Sequence, residues 1–160
     1  MGPGSFSNLA ARRDGDSLTG QRFDSRGDDR AGLAVIRAIR DLLPDLPPRC
    51  LLLEVHNAPE SYTGPIRRFE PDLVLFVDVA WLGEAADTLA LIEWQDTAGL
   101  SASTHTFSLH LLAKFLNHEL GCDVLLLGLQ PRDMELGASL SPPVESAVSA
   151  AAAGLADLLA

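Results

Sequence analysis

Four short, almost unbroken apolar runs, separated by helical patterns, constrain this chain more than any other feature. They are "CLLLEV" (Cys50 to Val55), "DLVLFVDVA" (Asp72 to Ala80), "TLALIEW" (Thr88 to Trp94) and "DVLLLGL" (Asp123 to Leu129). Runs of this length without polar alternation are expected of strands covered on both faces. Between them, Leu33, Ile36, Ile39, Leu42 and Leu43 recur at helical spacing over Asp29 to Leu43, and Phe107, Leu111, Phe115 and Leu116 mark one side of a helix over Thr104 to Leu120. Pro142 to Leu159 opens with two prolines, which a first turn tolerates, and continues alanine-rich, predicting a third helix. Strands interleaved with helices predict an α/β fold: a three-layer sandwich with a twisted, mostly parallel or mixed sheet of about 4–5 strands and helices on both faces.

A chain of 160 residues suits one domain. Its net charge of −10, without a long basic run, argues against nucleic acid and anionic membrane as partners. No apolar stretch approaches the ~20 residues that span a bilayer, and the start lacks the regions of a signal peptide. Cys50 and Cys122 each sit beside an apolar run, where buried free thiols are expected. Together these features predict a cytoplasmic protein. Residues 1–26 are assigned to a cloning scar ("MGPGS") and an N-terminal arm, with at most a short strand near Ser17 to Thr19, and residues 27–160 to the single folded domain.

In a parallel sheet, functional loops gather beyond the carboxyl ends of the strands. Asp78 ends the run "LVLFV", so its carboxylate is expected at that edge, where an unpartnered charge would be costly. Asp29, preceded by Asp28, stands at the start of the first helix, and His105 at the start of the second. If the sheet is parallel here, both helix starts point to the edge where Asp78 emerges. Two oxygens and one nitrogen would suit a divalent transition metal such as nickel, zinc or iron, and a helix N-terminus keeps an imidazole neutral and able to ligate. The same residues have plainer roles: Asp29 as a cap or dipole partner, Ser103, Thr104 and His105 as a capped helix start, and Asp78 as a turn cap. His56 leaves a strand, and His110 and His118 fall inside the second helix, where surface or interhelical roles are expected. The chain contains no G-x-S-x-G elbow, P-loop, H-E-x-x-H or C-x-x-C motif.

The ordered succession "GDDRAGLAV", "HNAPE", "PDLVLFVDVAWLG", "STHTFSL", "LLLGLQP" and "SPPVESAV" resembles the nickel-iron hydrogenase maturation endopeptidases, particularly the branch that processes formate-hydrogenlyase-type hydrogenases. The similarity runs from about Gly27 to the C-terminus. It implies an α/β sandwich and an aspartate-dependent hydrolase without a serine or cysteine nucleophile. Such an enzyme removes the C-terminal extension of a hydrogenase large-subunit precursor after nickel insertion. The resemblance places the family's metal-binding acidic residue on Asp29, its strand-end aspartate on Asp78 and its histidine on His105. It also implies that the nickel is supplied by the substrate. Upstream, "DGDSLTGQRFDSRGDD" is polar, with Gln21 where the family has asparagine, and Arg30 replaces the usual glycine. These departures define the alternative, a non-catalytic module that binds or chaperones the precursor.

Overall fold

Parallel pairing of a four-residue strand with two strands distant in sequence organises the sheet. In the computed structural model, residues 9–12, 27–55, 63–98, 100, 106–132 and 139–160 are described, excepting the side chains of residues 9–12, 29, 55 and 106–108. In chain order the elements are β1 (Leu9–Arg12), a 3-10 turn (Gly27–Arg30), α1 (Ala31–Leu42), β2 (Leu52–Val55), α2 (Thr63–Phe69), β3 (Leu73–Val79), β4 (Leu89–Glu93), a second 3-10 turn (Trp94–Asp96), α3 (Thr106–Leu120), β5 (Asp123–Leu129) and α4 (Pro142–Leu159). The strands form one five-stranded sheet in the order β2-β1-β3-β5-β4. All neighbours are parallel except β4, which runs antiparallel to β5 at an edge. This is the mixed α/β sandwich expected from the apolar runs.

Alternation along β3 sends its side chains to two cores. Leu75, Val77 and Val79 face α1 and α4, where Val35, Ile36, Ile39, Val144, Ala147 and Ala151 are buried. Val74, Phe76 and Ala80 face α2 and α3, meeting Ile66, Leu109, Leu112, Ala113 and Leu116. Ile36 and Ile39 have no exposed surface, and burying side chains of that size stabilises the fold by about 1.5–3 kcal/mol each. Arg37 and Arg40 of α1 both reach Glu54 on β2, the former at 3.4 Å. Arg49 donates to the last carbonyls of α4, at 3.1 Å from Leu159 O and 3.2 Å from Ala160 O, where a cation also favours the helix dipole. Cys50 and Cys122 are buried and not joined in a disulfide, and burial pushes both thiols above their ordinary range.

Four features differ from the sequence reading. Leu9–Arg12, assigned to the arm, instead forms β1, paired with β2 on one side and β3 on the other. Its sequence, "LAAR", is too short and too weakly apolar to announce a strand, and pairing from both neighbours supplies what pattern does not. Ser17 to Thr19, the predicted strand position, lies outside the described residues. Helix α2, only seven residues long, is an element the apolar runs do not predict. On α3 the buried face is Leu109, Leu112, Ala113 and Leu116, whereas Leu111 and Phe115 are half-exposed. Residues 109, 112, 113 and 116 follow the i, i+3, i+4, i+7 stripe of a core-facing helix, which leaves 111 and 115 on the outer face. There the Arg67 guanidinium stands 5.8 Å from the centre of the Phe115 ring. Leu42, placed on the buried face of α1, is likewise exposed.

Candidate active site at the carboxyl edge of the sheet

The carboxyl ends of β1, β3 and β5 point the same way, and α1 begins against the same edge. Its approach is set by Gly32: a Cβ there would stand 2.2 Å from the Val77 carbonyl oxygen and 3.3 Å from the Asp78 Cα. Both of those atoms are backbone, so only glycine lets the helix start this close to the end of β3. The turn before α1 opens at Gly27, whose φ of +45° is a left-handed conformation that favours glycine. The backbone of Asp29 therefore lies in a turn packed beside β3, the strand that carries Asp78 near its end.

Asp78 belongs to the face of β3 that carries Val74, Phe76 and Ala80, and is 2% exposed. Its Oδ1 accepts the Val79 N–H at 2.8 Å. A carboxylate in this position has left bulk water at a known cost, which makes it a candidate for proton transfer or metal recognition. The side chain of Asp29 and all of His105 lie outside the described residues. Leu100, five positions before His105 in the chain, accepts the Trp81 N–H at 2.9 Å, just beyond the end of β3.

Three further buried polar side chains shape the same edge, none of them singled out by sequence reasoning. Asp28, with no exposed surface, accepts the Ser141 N–H on Oδ1 and the Arg132 N–H on Oδ2, both at 2.7 Å. Ser141, immediately before α4, also places its Oγ 2.9 Å from each Asp28 oxygen. Gln130, at the exit of β5, accepts the Leu82 N–H at 2.7 Å and donates to Pro131 O at 3.1 Å, tying the segment after β3 to the segment after β5. Asp28 and Ser141 are 113 positions apart, so no local pattern links them. The one local signal was the pair of adjacent aspartates itself.

Of the remaining histidines, His110 and His118 are described. His118 is exposed on α3. His110 is half-buried, its Nδ1 lying 3.0 Å from Thr97 Oγ1 and 3.1 Å from Trp94 O. Thr97 Oγ1 donates to Trp94 O at 2.6 Å, so its lone pair is left to accept from His110 Nδ1–H. That pairing ties α3 to the second 3-10 turn. His56 lies outside the described residues.

A parallel-centred α/β sandwich with a buried strand-end aspartate and a close-packed helix start at its carboxyl edge defines a ligand- or substrate-handling protein of the open-sheet class. No protein-family model matches the chain. The nickel-iron hydrogenase maturation protease HycI from Thermococcus kodakarensis superposes with a TM-score of 0.77 at 30% identity, covering 95% of this chain and 92% of that one. The hydrogenase-maturating endopeptidase HybD from Escherichia coli shares the fold, with a TM-score of 0.69 at 18% identity over 92% and 89% of the two chains. A Methanocaldococcus jannaschii protein assigned as a hydrogenase maturation protease is 22% identical over 112 residues, 67% of this chain and 66% of its own length. The chain belongs to the hydrogenase maturation protease family, and so to the peptidase class of hydrolases.

Proposed function

We propose that this protein is an endopeptidase that removes the C-terminal extension of a nickel-iron hydrogenase large-subunit precursor after nickel insertion. Asp29, Asp78 and His105 would recognise the nickel held by the substrate, and one of the two aspartates would serve the hydrolysis. The observation that supports this reading most is Asp78, buried at the carboxyl end of β3 beside the turn that holds Asp29. The likeness to HycI, 30% identical across 92% of its length, supports the hydrogenase maturation role, and the assignment to the formate-hydrogenlyase-type branch rests on the motif succession alone. A cytoplasmic location is part of the same proposal. No described helix is long and apolar enough to cross a membrane.

In this mechanism water adds to the scissile carbonyl carbon as the peptide C–N bond breaks. One water proton passes to a carboxylate or to bulk, and the departing nitrogen leaves as an amine after protonation. An aspartate acting as general base would supply roughly 10²–10⁴-fold. Substrate nickel, when bound, would supply Lewis-acid activation and would hold the extension near the carboxylates. The alternative of a non-catalytic module rests on the polar segment before Asp29 and on Arg30; β1, which pairs with both β2 and β3, lies upstream of that segment and leaves these grounds standing.

The test is processing of nickel-loaded precursor by the wild-type protein and by Asp29→Asn, Asp78→Asn and His105→Ala. A shortened product with the wild type and none with the variants is expected. Unchanged processing by all three variants would remove these residues from the mechanism, and binding without cleavage by the wild type would favour the non-catalytic module.

A further inference from the structure

Asp28 stands directly before the proposed ligand Asp29 and is not needed as a ligand itself. We infer that Asp28 is the positioning residue of the Asp29 turn, and that the task requires a carboxylate rather than any polar side chain of that size. Its two oxygens receive backbone N–H groups from opposite directions, Ser141 on Oδ1 and Arg132 on Oδ2, each at 2.7 Å. The Ser141 hydroxyl oxygen lies 2.9 Å from each of the same oxygens and has one proton to donate between them. An asparagine presents one oxygen and one NH2. In either orientation its NH2 would therefore meet a backbone N–H head-on, and neither N–H can turn away without moving the exit of β5 or the start of α4. A carboxylate is the side chain of this length that accepts on both sides.

The geometry has a second consequence. Arg132 and Ser141 bracket the connection from β5 to α4, so one carboxylate holds both ends of that connection beside the 3-10 turn. Gly27 and Gly32 shape the turn and its approach to β3, while Asp28 fixes its sideways position. Loss of the carboxylate frees the Asp29 backbone to shift relative to Asp78. The catalytic part of this inference rests on the reading under Proposed function; the structural part does not.

The experiment combines amide resonances with processing kinetics on the full chain, comparing wild type, Asp28→Asn, Ser141→Ala and Ser141→Thr. In folded Asp28→Asn the resonances of Asp29, Arg30, Arg132 and Ser141 move, while those of Leu73 to Val77 stay in place. Per folded molecule, its kcat on nickel-loaded precursor falls about 100-fold, because small misplacements of reacting groups have effects of that order, with KM within about two-fold. Ser141→Ala keeps both backbone donors and loses about three- to ten-fold in kcat, and Ser141→Thr, which restores a hydroxyl, recovers it. Unmoved Asp29 and Arg30 resonances in Asp28→Asn, or a wild-type kcat, overturn the inference. Should Asp28→Asn fail to fold, equal kcat in the two Ser141 variants overturns it. If the wild type cleaves no precursor, the proposed function falls, while the resonances still decide whether Asp28 holds the turn.

Discussion

The two ends of the same strands are built on opposite rules. At the amino ends of β3 and β5, Asp72 and Asp123 are exposed to solvent, where a carboxylate keeps its hydration. At the carboxyl ends, Asp78 and Gln130 are 2% and 5% exposed, with Asp28 and Ser141 buried close by. A buried polar group destabilises a fold unless its partners are in place, and the four at this edge have theirs, which fixes the edge in one arrangement. The opposite edge, made of exposed acids and the buried thiols Cys50 and Cys122, shows what the sheet requires for folding alone.

Substitutions at matched positions can break this comparison. The largest effect is expected from Asp78→Asn, which should lower the processing rate about 100-fold or more, whereas Asp123→Asn should leave it within about two-fold in the same assay. Equal losses at the two ends would erase the distinction. Next comes Gly32→Ala, whose methyl group would collide with the Val77 carbonyl; a loss of about 2–3 kcal/mol is expected in urea unfolding, together with slower processing. Gln130→Leu removes the acceptor of the Leu82 N–H and should cost about 1–2 kcal/mol by the same measurement. The smallest change is a gain: Gly154→Ala on the exposed side of α4, where the new methyl group meets nothing within 4 Å, should stabilise by about 0.5–1 kcal/mol and leave processing unchanged. A faster or slower enzyme from that last variant would mean that the site responds to global stability rather than to its own edge.

How far the sequence foretold this arrangement varied with the range of the interactions involved. β5 and α4 have the predicted limits, Asp123–Leu129 and Pro142–Leu159, because an unbroken apolar run and a proline-led alanine helix are local signals. β3 is one residue shorter at each end than "DLVLFVDVA". β1 stayed hidden, since "LAAR" becomes a strand through its neighbours, and the outward turn of Leu111 and Phe115 depended on which apolar stripe of α3 the sheet would accept. In the site, Asp78 was legible as a charge ending an apolar run. Asp28 was not distinguished from Asp29, because its partners are Arg132 and Ser141, and Gly32 gave no sign of the backbone it meets.

The Asp28 clasp also bears on when the site comes into being. Its hydrogen bonds close over 104 and 113 positions of chain, among the longest-range contacts in the molecule. Contacts of that separation bear the full entropy of loop closure before they return any stabilisation, so they form late. During synthesis the G-D-D turn leaves the ribosome long before Ser141, and domains are made from the N-terminus onward. The edge that holds Asp29 beside Asp78 is therefore completed by the start of the last helix, and a chain interrupted before Ser141 lacks a finished site.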